Sequence, residues 1–178
     1  MYSFADFQAE LKKVDEWLSK EYSQISTGRA APALLDGVQV ESYGAHQPIK
    51  NVASVSIEDP KTLRISPWDK GLIKEIERGI YASNLGFSVS VDDQGIRVII
   101  PQLTTERRTQ LVKLAKDRLE DARIRLRQTR EDALEKMKAA KLPEDAEFRA
   151  KDELQKLVAG GNQSLEAIFE KKEQEILN

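Results

Sequence analysis

The sequence contains no cysteine, which excludes a disulfide, a thiolate nucleophile and any cysteine-based metal site. His46 is the single histidine, so neither a multi-histidine metal site nor a relay between two imidazoles can be built. Aromatic residues are scarce, at 6% of 178 residues. No apolar run approaches the roughly 20 residues a helix needs to cross a bilayer. The opening Met1-Tyr2-Ser3-Phe4-Ala5-Asp6 soon carries acids and reads as neither a signal peptide nor an arginine-rich transit peptide, so a cytoplasmic location is expected. Gly86 and Gly95 lack the spacing of a P-loop or dinucleotide fingerprint. Asp92-Asp93 lacks the alternating oxygen ligands of a cation loop, and Ser164 and the other serines lack a histidine partner. No cofactor, metal ion or catalytic residue is expected, and the chain is not expected to be an enzyme.

What is present is a balance of 40% hydrophobic and 33% charged residues, suited to helices with one buried stripe and a broad solvated surface. Phe4, Phe7, Leu11, Val14, Leu18, Tyr22 and Ile25 recur at gaps of three and four, which predicts a helix over 3–26 with Ser3 as N-cap. Gly28 and Pro32 end it. The middle third alternates instead. Val38–Tyr43, Val52–Ile57, Leu63–Ile65, Val89–Val91 and Ile96–Ile100 read as strands between turn residues. Ile73, Ile76 and Ile80 mark one short helix, closed by Asn84-Leu85-Gly86. His46, between Gly44 and Pro48, is expected in a turn, and Trp68 is expected to anchor the core of this part.

Helical spacing then resumes through Leu111, Ala115, Leu119, Ala122, Leu126, Thr129, Ala133, Met137 and Ala140. Thr104 is placed to cap this helix, and some 36 residues predict a rod of roughly 54 Å. Leu142-Pro143 breaks it, and a last helix turns Leu154, Val158, Leu165, Ile168 and Ile176 inward. Three long amphipathic helices can bury their stripes only against one another. The expected fold is therefore α+β: a long antiparallel three-helix bundle, 1–29 plus 103–178, with a small strand-rich α/β domain, 30–102, inserted into it. Two tethers, near 27–32 and 101–104, invite a hinge.

Net charge is −2, which by itself argues against general nucleic-acid affinity. Its distribution matters more. Lys113, Lys116, Arg123, Arg127 and Arg130 step along one face of the second long helix, interrupted by Glu120. Arg107, Arg108, Arg118 and Arg125 add charge elsewhere on the rod. A guanidinium donates bidentately to phosphate, so such a stripe can follow a phosphate backbone without reading sequence. The pattern equally fits a solvated face in which Asp117, Asp121 and Glu131 neutralise the arginines.

Several segments resemble the bacterial ribosome-recycling factor family. They are Thr27-Gly28-Arg29-Ala30-Ala31-Pro32-Ala33-Leu34-Leu35-Asp36-Gly37, Val40-Glu41-Ser42-Tyr43-Gly44, Ser66-Pro67-Trp68-Asp69, Ser83-Asn84-Leu85-Gly86, Ile96-Arg97-Val98, Pro101-Gln102-Leu103-Thr104 and Glu106-Arg107-Arg108. They occur in family order and spacing across nearly the whole chain. The resemblance implies an L-shaped monomer, similar in outline to transfer RNA. It also implies that the bundle lies along large-subunit ribosomal RNA in the post-termination ribosome, where the factor splits the subunits with elongation factor G. GTP hydrolysis then belongs to that partner. By position, Arg127 and Arg130 are the principal RNA contacts, with Arg123, Lys116 and Lys113 completing the candidate stripe. Gly28, Arg29, Ala30, Ala31 and Pro32 form one side of the hinge, and Pro101, Gln102, Leu103 and Thr104 the other. Three departures stand out: Glu131 and Ser26, where the family often has basic residues, and Gly160-Gly161-Asn162 inside the last helix, where a kink or soft spot is expected. The alternative is a helical-bundle adaptor that binds protein, whose affinity would be far less sensitive to salt. A nucleotide-binding hydrolase is a third possibility, which would bind GTP or ATP on its own.

Overall fold

A computed structural model describes residues 3–178; Met1 and Tyr2, on which the reading of the N-terminus begins, lie outside the described residues. The chain divides into two compact units, Met1–Tyr22 with Thr109–Asn178, and Ser23–Arg108.

The first unit is built from α1 (Ala5–Ser23), α3 (Thr105–Ala139) and α4 (Glu144–Leu177), with Ser23 and the first turn of α3 counted in the second. Ser3 Oγ accepts from the Ala5 amide at 3.4 Å, and Thr104 Oγ1 accepts from the Arg107 amide at 3.2 Å, as capping hydroxyls do. Phe4, Phe7, Leu11, Val14, Leu18 and Tyr22 turn inward, Leu11 partly and the rest buried, whereas α1 ends at Ser23 and Ile25 is buried beyond it, in the second unit. One core cluster joins Phe4 and Phe7 of α1, Ala133 and Met137 of α3, and Ala150 and Leu154 of α4. Further along, the buried Tyr22 hydroxyl donates to Ala115 O at 2.8 Å, and Ser164 Oγ donates to Asp15 Oδ2 at 2.7 Å. The start of α1 therefore meets the end of α3 and the start of α4, so α3 runs antiparallel to the other two. The fold is the expected three-helix bundle with an inserted strand-rich domain.

Gly160 and Gly161 do not break the last helix, which is continuous from Glu144 to Leu177. A Cβ on Gly161 would stand 3.2 Å from Leu11 Cδ2 and 3.4 Å from Leu126 Cδ1. The missing side chain lets α4 approach α1 and α3 closely, so the expected soft spot is a packing position. Phe169, which the spacing reading passed over, is buried on the inward face alongside Leu165.

The second unit holds a hairpin, β1 (Gln39–Ser42) with β2 (Ala45–Pro48), and a four-stranded antiparallel sheet. The sheet comprises β3 (Ala53–Asp59), β4 (Thr62–Pro67), β5 (Ser88–Asp92) and β6 (Gly95–Ile99), in the order β3-β4-β6-β5. Leu63, Ile65, Ile96 and Val98 point inward to meet Ile76 and Ile80 of α2 (Ile73–Ala82), Val40 of the hairpin and Val38 just before it. Period-two alternation gives the sheet one apolar and one polar face.

His46 is not in a turn but in β2, paired with Glu41, because the reversal is made one step earlier at Tyr43-Gly44, where both residues have positive φ. Trp68 is not a core anchor: it is 70% exposed, since the core is already filled by aliphatic residues from the sheet, hairpin and helix.

Candidate nucleic-acid interface

Between Leu111 and Arg130, α3 carries seven basic side chains against three acidic ones. Which of the seven can meet an external anion depends on what each already touches. Arg118 is held by Glu21 at 3.4 Å and Asp121 at 3.1 Å, and the Arg125 guanidinium lies 4.1 Å from the centre of the Trp17 ring. Both point toward α1, away from the stripe. Lys116 lies over Phe169 of α4, its ammonium 6.0 Å from the ring centre, while Lys113 is exposed with no partner among the described residues.

Arg123, Arg127 and Arg130 stand apart. They line one side of a groove of about 360 Å³ between α3 and α4. Gln155 and Asn162 of α4 line the other side, and Leu126 and Val158 contribute apolar surface. Leu126 is buried, so the arginines step around an anchored position at i−3, i+1 and i+4. Arg123 is held by Glu120 and by Glu166 across the helix pair, both at 2.5 Å. Arg130 has only a long 3.4 Å contact with the adjacent Glu131. Arg127 has no hydrogen-bond or ion-pair partner among the described residues. Availability therefore rises from Arg123 through Arg130 to Arg127. Exposed ion pairs contribute little in water, so a phosphate can displace the Glu131 contact at small cost. Of the carboxylates proposed as partners from spacing, Asp121 and Glu131 are used and Glu166 was missed, because it comes from a different helix. Gln155 and Asn162 were missed too. Their steps from Val158, three back and four forward, were the available signal.

The first tether and the residue that precedes the second both bond to the β3–β4 turn. The Ala30 amide donates to Pro60 O at 2.8 Å and the Ile100 amide to Lys61 O at 2.8 Å. Asp59 Oδ1 fastens that turn by accepting from the Lys61 amide at 2.7 Å. Gly28, at φ +78°, has its open side 3.6 Å from Leu103 Cγ and 4.0 Å from Pro101 O, so the outgoing and returning chains lie side by side. Ala31 and Leu103 are half-buried, whereas Arg29, Pro32, Pro101, Gln102 and Thr104 are exposed. Among the described residues, no group of His, Asp or Glu is arranged to hold a metal ion, and no helix is long and apolar enough to cross a membrane.

Residues 18–177 match the family described as ribosome recycling factor. The chain is 43% identical over 176 residues to a ribosome-recycling factor of Symbiobacterium thermophilum, covering 97% of this chain and 95% of that one. It is 42% identical over 172 residues to a ribosome-recycling factor of Heliobacterium modesticaldum, covering 94% and 93%. A solution structure of a ribosome recycling factor superposes with a TM-score of 0.73 at 33% identity, with 99% of both chains covered. A second match, at TM-score 0.64 and 38% identity over 98% of this chain and 97% of that one, comes from models of the T. thermophilus ribosome recycling factor and E. coli elongation factor G bound to the E. coli post-termination complex.

Proposed function

This chain belongs to the ribosome recycling factor family, and we propose that it binds the post-termination ribosome and, with elongation factor G, separates its subunits. The bundle is the anchoring part in this reading. The observation that carries it is the groove of α3, where, among the described residues, Arg127 has no partner and Arg130 only Glu131 at 3.4 Å. Guanidiniums left without carboxylates are free to donate to the phosphates of large-subunit ribosomal RNA. Arg123 contributes less because Glu120 and Glu166 already hold it. Lys116 and Lys113 extend the positive surface toward the start of α3.

The second unit is the moving part. Its tethers, Gly28–Pro32 and Pro101–Thr104, act as the hinge, and the hydrogen bonds of Ala30 and of Ile100, just before the second tether, to the Pro60-Lys61 turn make that hairpin the base of the lever. The factor works mechanically in the cytoplasm as a monomer, without cofactor or catalytic residue, and GTP hydrolysis belongs to elongation factor G. A protein-binding adaptor is less consistent with a groove lined by three guanidiniums and only two apolar side chains.

The test is breakdown of post-termination polysomes by the purified chain with its cognate elongation factor G and GTP. Monosomes and free subunits should accumulate only when both proteins are present. Breakdown that proceeds equally without the chain would overturn the assignment.

A further inference from the structure

The α4 wall of the arginine groove carries the inference, which rests on the RNA-facing reading of α3. Gln155 and Asn162 face Arg127 and Arg130 across the groove and are exposed. Asn162 Nδ2 donates one hydrogen to Val158 O at 3.1 Å. That bond ties the amide to its own helix and leaves its carbonyl oxygen and one N–H for a ligand. Gln155 has no hydrogen-bond partner among the described residues. The closeness of this wall follows from Gly161, whose missing side chain lets α4 sit against Leu126, between Arg123 and Arg127 in sequence.

We propose that Gln155 and Asn162 form the second side of the RNA site and bind the sugar beside the phosphate that Arg127 and Arg130 hold. The chemistry separates the two walls. A phosphate oxygen only accepts hydrogen bonds, which suits guanidiniums. A ribose 2′-hydroxyl both donates and accepts, and a carboxamide matches it in both senses, whereas a guanidinium can only donate. A groove with cations on one wall and carboxamides on the other is therefore complementary to a ribose-phosphate unit. The two amides also add contacts without adding charge, beside a stripe in which Glu131 stands next to Arg130.

The experiment measures binding to post-termination ribosomes over a salt series for wild type, Arg127→Ala and the double variant Gln155→Ala/Asn162→Ala. Alanine favours helix at both α4 positions, so the double variant should fold, which its thermal unfolding midpoint checks. Two neutral hydrogen bonds lost should weaken binding roughly tenfold at every salt concentration. The slope of log affinity against log salt should stay at the wild-type value, because no counterion release is lost. Arg127→Ala should weaken binding and also make that slope shallower. Wild-type affinity in the double variant, with Arg127→Ala impaired, would overturn the two-walled site and leave the α3 reading intact. Arg127→Ala with both wild-type affinity and slope would overturn the reading on which the inference rests.

Discussion

Arginines occur on two surfaces of this molecule and behave differently on each. On the polar face of the sheet, Arg64 of β4 and Arg97 of β6 are register partners, with Glu58 of β3 and Asp92 of β5 beyond them. Arg64 reaches Glu58 at 3.2 Å and Asp92 at 2.7 Å, while Arg97 reaches Glu58 at 2.7 Å and Asp92 at 3.3 Å. Two cations and two anions close a network that stitches all four strands together. On α3, Arg127 and Arg130 line a groove with almost nothing of opposite charge against them. Guanidiniums are thus structural where carboxylates surround them and available for a ligand where carboxylates are missing. The number of arginines on a face is uninformative until their partners are known.

Exchanging the roles of the two surfaces is the strongest way to break the comparison. Arg127→Ala/Arg130→Ala should weaken ribosome binding by roughly 100-fold or more, taking about 1.5–3 kcal/mol for each charge-assisted hydrogen bond lost. Its unfolding free energy should stay within about 0.5 kcal/mol of wild type, as for other surface changes. Arg64→Ala/Arg97→Ala should do the reverse. Ribosome affinity of the folded protein should be retained, while amide exchange across β3–β6 accelerates because Glu58 and Asp92 lose the guanidiniums that bridge them.

Acid should sharpen the contrast. The hydrogen bond from Arg97 holds the Glu58 carboxyl below its usual range, and that from Arg64 does the same for Asp92. Asp59 is likewise depressed, chiefly by the Lys61 amide. A carboxylate depressed in the folded state contributes stability that is complete above its unfolded pKa of about 4, and that is lost as pH falls through the folded value. Exchange protection of the sheet should therefore fall below about pH 4, and less so in Arg64→Ala/Arg97→Ala. The bundle has its own sensitive group at the other extreme. Burial, followed by the charge of Glu166, raises the pKa of Tyr22. Its contribution is complete below the unfolded tyrosine value of about 10 and is lost as pH rises beyond it. Lys172, lowered by burial, acts in the opposite sense, so the measurable quantity is the alkaline difference in stability between wild type and Tyr22→Phe.

The smallest effect concerns the glycine pair in α4. Gly160→Ala should stabilise the bundle by about 1 kcal/mol, since a Cβ there meets open space. Gly161→Ala should gain nothing or lose stability, because its Cβ would press on Leu11 and Leu126. Thermal unfolding of the two variants distinguishes a packing position from a merely tolerated one.

Much of this was legible in the sequence. The apolar steps through Phe4–Ile25 and Leu111–Met137 give the helices and their buried faces, because helical period is a local property. The alternating runs between them give the sheet for the same reason. What was not legible depends on neighbours distant in sequence. Trp68 reads as a core residue until the aliphatic side chains that fill that core are placed. Gly160-Gly161 reads as a kink or soft spot until Leu11 and Leu126 are seen against Gly161. Arg123 reads as an equal member of the stripe until Glu166 arrives from α4, and the two carboxamides of that helix have no motif to announce them.

The central claim is that Arg127 and Arg130 of α3, and not the carboxylate-bound arginines of the sheet, hold the ribosome. Its most direct test is the slope of log affinity against log salt for post-termination ribosomes, measured for wild type and for Arg127→Ala/Arg130→Ala. Each phosphate contact removed should make the slope shallower by about one, so the double variant should differ from wild type by about two. A wild-type slope in the double variant would contradict the claim.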